Sequence, residues 1–191
     1  MVLLVAIIVL GLLFLAGLGV MRAADTSNVI SGNFSFQQAA AQASDRAVTE
    51  SMTWLLNNVP GGGGNTAAAN RYLPLRATAL DSRGIPSAIN WDGGVTCIHP
   101  DGGVIDVNAC ATDDGTYRIQ YVIERMCGPS APDLTDINDI RAKCEYEPRT
   151  TPLSPATTAA GIAVRYRVVI RVRGPRGTDG FYEVMVSGPA G

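Results

Sequence analysis

Four cysteines, Cys97, Cys110, Cys127 and Cys144, and one histidine, His99, are the residues of this chain best suited to metal or redox chemistry. Their spacing argues against a metal. Zinc sites built from cysteine and histidine usually bring close-spaced pairs, and here no two cysteines form C-x-x-C. Two disulfides are the better reading for a chain whose N-terminus is compatible with export. Three pairings are open. The sequential one, Cys97–Cys110 with Cys127–Cys144, closes short loops, each worth roughly 3 kcal/mol. A second candidate is the acidic run at Asp133, Asp136, Asn138 and Asp139, whose oxygens could reach one calcium ion. The spacing is not that of an EF-hand, and an Asp-rich helix start is explained by capping and the helix dipole alone. Nothing else resembles a catalytic constellation. There is no G-x-S-x-G, H-E-x-x-H or P-loop, and His99 has no free nucleophile beside it if the cysteines are bridged. The chain is expected not to be an enzyme and to carry no cofactor. Its net charge of −2 and lack of a basic patch exclude nucleic acid as an expected partner.

The elements that would position such residues begin with MVLLVAIIVLGLLFLAGLGVMR. Twenty-one residues precede the first charge, Arg22. The run from Val2 to Met21 would span about 30 Å as a helix, the thickness of a bilayer's hydrocarbon core. It is not patterned as a secretory signal, which has a basic start and a shorter apolar region. The missing basic residues suggest a processed form that has lost a basic leader. Gly11, Ala16, Gly17 and Gly19 favour close helix–helix packing.

The helix is expected to continue. Residues 22–58 contain no proline, and from Phe34 onward alanine and glutamine dominate. Phe36, Ala40, Ala43, Ala47, Met52 and Trp54 make a loose stripe at helical period. Gly32 costs about 1 kcal/mol relative to Ala in a helix interior. A kink or locally unwound stretch is therefore expected near residues 22–33, at Ser31, Gly32 and Asn33. Val59-Pro60 and the glycines Gly61 to Gly64 end the helix and read as a flexible linker.

Beyond the linker, three segments alternate like half-buried strands: Thr116–Met126, Ile162–Arg173 and Phe181–Ser187. In the second, Val164, Tyr166, Val168, Ile170 and Val172 share one face, and Arg165, Arg167, Arg171 and Arg173 the other with Val169. Residues 174–180 form the connection to the third. The pattern predicts an antiparallel sheet with one covered face, the cover being the helix around Gln37–Leu56. The arginine row reads as a solvated face that blocks edge pairing, or as a contact for acidic groups on a neighbouring subunit. Turns are expected at Asp92-Gly93-Gly94 and Asp101-Gly102-Gly103, a short strand at Gly103–Val107, and one or two helical turns over Asp133–Ile140 with Leu134, Ile137 and Ile140 inward.

An uncharged apolar N-terminal helix, an amphipathic continuation, a glycine loop and an antiparallel sheet with a cysteine-closed loop resemble a type IV pilin. Gly19-Val20-Met21-Arg22, Ser31-Gly32-Asn33 and Phe36-Gln37-Gln38-Ala39-Ala40 are most similar to the N-terminal region of PilX-type minor pilins. There a related "MR…GN…FQAAE" sequence follows the membrane segment. The similarity covers about 55 residues, and extends weakly to Val164-Arg165-Tyr166-Arg167-Val168. Many major pilins carry Glu at the place of Val5; its absence here is similar to PilX-type pilins and some tip pseudopilins. The resemblance implies an α+β pilin fold, with a long N-terminal helix packed against an antiparallel sheet head. Residues 1–33 would be the transmembrane and filament-core half of the helix, 34–58 the half packed on the head, and 59–191 the β-rich head with two disulfides. It implies a structural subunit of a type IV pilus-type filament. A prepilin peptidase would remove the leader and Met1 would be N-methylated. The helix would wait in the bacterial inner membrane, then pack through Val5, Leu12, Phe14, Ala16, Gly17 and Gly19 against other pilin subunits in a surface filament raised by the assembly machinery. The alternative is a single-span, membrane-anchored periplasmic or extracellular binding domain that does not polymerise.

Overall fold

The computed structural model describes residues 1–98, 104–105, 117–147 and 162–191. The chain is α+β: a long N-terminal helix and a sheet head. Helix α1 runs Val2–Asn58. Helical structure continues through Ser31, Gly32 and Asn33, so the unwound stretch expected near residues 22–33 is not formed. One glycine costs too little to open a helix whose neighbouring turns keep their hydrogen bonds. By compactness the chain divides into Met1–Ala39 and Ala40–Gly191.

The second unit is the head. Seven short or long strands pair among the described residues: β1 Tyr72–Leu73, β2 Cys97–Ile98, β3 Val104–Ile105, β4 Arg118–Arg125, β5 Tyr146–Glu147, β6 Ala163–Arg173 and β7 Asp179–Pro189. The order along the main path is β3-β2-β4-β6-β5, with β7 on the other side of β6. All pairs are antiparallel except β1 with β4, which makes the sheet mixed. The register sets Ile119 opposite Val172, Tyr121 opposite Ile170 and Ile123 opposite Val168. Val168, Ile170 and Val172 share the face that the alternation assigned to them, and the register puts Ile119, Tyr121 and Ile123 on it as well.

Residues 40–58 cover this face. Ala40, Ala43, Ser44, Ala47, Ser51 and Leu55 are the buried positions of the helix. Most are small, which lets the helix backbone lie close to the strands. Tyr72 fills the remaining space between Trp54 and Tyr166, with ring centroids 5.2 and 6.4 Å away. Its hydroxyl donates to Gly64 O at 2.7 Å, and burial pushes its pKa up to about 12.

The glycine run is an ordered turn rather than the flexible linker expected. Gly61 and Gly62 have φ of 81° and 100°, a region that only glycine enters cheaply. Residues Gly63–Asn65 then form a 3-10 turn. Gly64 is buried, and a Cβ there would lie 2.5 Å from Ala190 O and 2.7 Å from Arg125 Nη1. Arg125 is itself fully buried. It donates to Pro74 O at 2.9 Å, to Ala190 O at 3.2 Å and to Asn65 Oδ1. One guanidinium thus ties the turn after the helix, the start of the sheet and the C-terminal residues together.

The expectation of a single covered face is overturned. Residues 74–96 lie across the opposite side of β4 and β6. There Ile85, Trp91 and Val95 pack on Val122 and Val169, with Leu73, Ile89 and Phe181 at the margins. Trp91 meets Phe181 edge-on at 5.7 Å. Gln120 Nε2 holds this segment down by donating to Trp91 O at 2.6 Å and Val95 O at 2.8 Å. Alternation in a strand reports two chemically different faces; it does not report whether the polar one meets water.

Candidate assembly surface

Met1–Ala39 presents a helix without protein cover. Met1, Val5, Leu12, Phe14, Ala16, Gly17 and Gly19 are all exposed, Val5 at 58% and Phe14 at 68%. A Cβ added at Gly11, Gly17, Gly19 or Gly32 would meet nothing within 4 Å. The helix is long and apolar enough to cross a membrane, with no part of its most apolar window buried inside the chain. Water does not tolerate 20 such side chains at about 25 cal/mol per Å², so this surface has to be covered by lipid or by protein.

The head contributes a buried polar layer. The arginine row of β6, expected to be solvated, is closed over by residues 74–96. Arg167 is 9% and Arg171 6% exposed, while Arg165 remains in water. The acids expected on a neighbouring subunit are supplied by the chain itself. Glu124, fully buried opposite Arg167, accepts from Arg167 Nε at 2.5 Å and from the Ala77 N–H. Arg167 also donates to Gly84 O at 3.1 Å. Arg171 bridges Asp92 at 2.6 Å and Asp179 at 2.7 Å. Arg173 completes the ring at 3.4 and 3.2 Å from the same two carboxylates. The hydrogen bond from Arg171 holds the Asp92 carboxyl below its usual range, against a small opposing effect of burial. Burial alone would lower the Arg171 pKa; the bonds to Asp179 and Asp92 outweigh it and raise it.

Sequence reasoning missed these partners because Glu124 and Asp92 come from a strand and a loop far from the arginines in the chain, and Asp179, close in sequence, reaches them only through the pairing of β6 with β7. A signal was present nonetheless. Arg118, Gln120 and Glu124 occupy the polar face of β4 with Val122, and Val169 interrupts the arginines of β6. An apolar residue in each polar row points to a cover.

The cysteines behave as bridges. Cys127 and Cys144 are joined across 17 residues, and Cys97 is disulfide-bonded. Cys110 and His99 lie outside the described residues, as do the expected turn at Asp101-Gly102-Gly103 and most of the strand at Gly103–Val107. The loop closed by Cys127–Cys144 carries helix α2, Ile137–Lys143, later in the chain than the turns expected over Asp133–Ile140. Ile140 is buried and Leu134 and Ile137 half-buried.

The acidic run serves this helix. Asp136 caps it by accepting from Asn138 N at 2.8 Å. Asp139 accepts from Asp133 N at 2.6 Å and from Lys143 Nζ at 2.9 Å, which lowers its pKa. Asp133 accepts from the Thr135 hydroxyl and amide. Among the described residues no group of three His, Cys, Asp or Glu side chains could hold a metal, so the calcium idea at Asp133, Asp136 and Asp139 has no geometric support. Beside the bridge a cleft of about 580 Å³ opens between Arg76, Pro129 and Lys143. Arg76 pairs with Glu145 and Lys143 with Asp139, so its charged rim is satisfied internally.

The fold and this surface define a broad class: a sheet head on a long apolar N-terminal helix, compatible with a pilin-like protein and with a membrane-anchored domain. No protein-family model, curated protein or solved structure matches this chain.

Proposed function

We propose that this chain is a non-enzymatic structural subunit of a type IV pilus-type filament, akin to minor pilins. The observation that carries the reading is the division of labour along α1. Residues 40–58 bury one narrow face of small residues against the sheet. Residues 1–21 are apolar on every side and uncovered. A plain anchor and a filament core both accept such a surface, because one apolar exterior suits lipid and neighbouring helices alike. The sequence around Arg22, Gly32 and Phe36, with its likeness to PilX-type pilins, favours the filament. In this reading the inner membrane holds the subunit, a prepilin peptidase and the assembly machinery act on it, Met1 is N-methylated, and Val5 leaves a major-subunit role to another pilin.

The test is expression of the full chain with a type IV pilus assembly system. Sheared surface filaments containing the chain, and a methylated Met1 by mass spectrometry, are expected. A chain that stays in the membrane fraction, unmethylated and absent from sheared filaments, refutes the proposal and favours the anchored binding domain.

A further inference from the structure

Strand β7 runs 11 residues, Asp179–Pro189, and pairs with β6 along its whole length. Among the described residues no strand pairs with its other edge. The ladder fixes which backbone groups face that way. The Ile123 N–H donates to Arg71 O, so Ile123 turns its backbone groups away from β6. Val168, opposite Ile123, then turns its own toward β7 and forms a hydrogen-bonded pair with Val184. Alternation places the amides and carbonyls of Phe181, Glu183, Met185 and Ser187 on the outer edge. Arg165 agrees with this phase: its N–H donates to Glu145 O, away from β7, and it stands opposite Ser187.

Sheet edges are usually kept from pairing by short length, a bulge, a proline or a lysine. Strand β7 is long, and its register with β6 is unbroken from Asp179 to Pro189. Its one proline is its last residue, and it contains neither Lys nor Arg. Its two faces differ in chemistry. Tyr182, Val184 and Val186 form one row, each half-buried. Glu183 puts a charge on the other face; its side chain is 53% exposed and lies 3.7 Å from Arg167. With Asp179, the strand carries two acids and no base. A strand that fits this edge has apolar residues beside the row and cations beside Glu183. Strand β6, which fills the inner edge, has that alternation in Val164-Arg165-Tyr166-Arg167-Val168. A second copy of β7 does not. Pairing two β7 edges about a two-fold axis through the middle of the strand, at Glu183 or Val184, sets Glu183 opposite or diagonal to its counterpart, and like charges so placed repel.

We propose that the outer edge of β7 takes up an extended basic segment of a partner protein as an added strand. Its main chain bonds to Phe181, Glu183, Met185 and Ser187, and its alternate arginines or lysines face Glu183. The proposal is independent of filament assembly, since an anchored domain presents the same edge.

The experiment uses the full chain in phosphatidylcholine vesicles, which carry no net charge, and a fluorescent heptapeptide alternating valine with arginine. Binding is read as anisotropy, and saturable binding is expected. Glu183→Arg should weaken it about tenfold by repulsion, and Met185→Pro, which deletes an outer amide that β6 does not use, by about as much. Near-UV circular dichroism checks that both variants keep the head folded. The same peptide N-methylated at its arginine amides keeps its charge, loses its main-chain bonds and should not bind, which tests strand pairing without altering the protein. A heptapeptide alternating valine with glutamate should not bind either. No saturable binding of the arginine peptide, equal binding of the methylated or glutamate peptide, or an affinity unmoved by Glu183→Arg overturns the proposal. So does a dimer of the chain that forms without peptide and is lost in Met185→Pro, which would give this edge to a second copy.

Discussion

The buried pair Glu124–Arg167 offers the sharpest test of how the head is held. Glu124→Ala would remove a fully buried carboxylate that accepts from Arg167 Nε and from the Ala77 N–H. Arg167 would keep Gly84 O at 3.1 Å and Glu183 at 3.7 Å. Glu183 is half-exposed at its side chain, so it recovers only about 1 kcal/mol in a high dielectric. Breaking a buried pair by removing one partner costs about 3–5 kcal/mol, and the orphaned Ala77 N–H adds to this. The net expectation is about 3 kcal/mol. Measured by urea denaturation of residues 34–191, which contain the compact unit, the midpoint should fall by about 1.5 M for a slope of about 2 kcal/mol/M. The control is Glu124→Met with Arg167→Met, which leaves no buried charge and should lie within about 1 kcal/mol of the parent. A shift below about 0.3 M for Glu124→Ala would show that Arg167 finds water or another partner, and that residues 74–96 do not seal this face. A double variant as unstable as the single one would place the cost in packing, not in charge.

Three further outcomes follow from the same structure. Gly64→Ala should destabilise the head by about 1–3 kcal/mol in the same urea assay, because its Cβ has no room beside Ala190 O and Arg125; a neutral result would mean the turn relaxes freely. Asp92 has a carboxyl pKa depressed mainly by its bond to Arg171, so its stabilisation is present above the ordinary carboxylate range and is lost as pH falls through the depressed value. Asp92→Asn should therefore lower stability at neutral pH, with the two stability–pH curves converging as pH falls through the depressed value, and an acid limb of unaltered slope would count against the Asp92–Arg171 bond. Leu12→Lys places a charge mid-span, at about 2.5–3.5 kcal/mol in insertion; surface filaments should be lost while near-UV circular dichroism of the head is retained, and normal filaments would remove the apolar core from the argument.

The legible parts of this protein are those written in local pattern. A 20-residue apolar run can only be a helix that lipid or protein covers, because unpaired backbone groups are not tolerated there. Strands β4, β6 and β7 and the face of each residue followed from alternation, since successive side chains point to opposite sides. The stop at Pro60 and the glycines was equally local, and so was the capping role of the acidic run, although the helix starts at Ile137, later than the turns expected over Asp133–Ile140. Pairing of cysteines was open from spacing alone, and Cys127–Cys144 became definite only when β4 and α2 brought the two sulfurs together.

Other features depended on parts of the chain that meet only after folding. The arginines of β6 looked like a water-facing row because two of their carboxylate partners, Glu124 and Asp92, lie far away in sequence, and the nearby Asp179 meets Arg171 and Arg173 only through the hairpin pairing of β6 with β7. Glu124 came from the paired strand 43 residues away and Asp92 from a loop 79 residues before Arg171. Gly61 to Gly64 read as a linker because glycine signals conformational freedom; the tight approach of Ala190 and Arg125, invisible to local composition, makes it an ordered turn. The sequence by itself determined which surfaces are apolar and which residues share a face, because period and side-chain chemistry are properties of adjacent residues. The tertiary structure alone decided which polar face is buried and what neutralises it, because those depend on contacts between segments that no short-range pattern encodes.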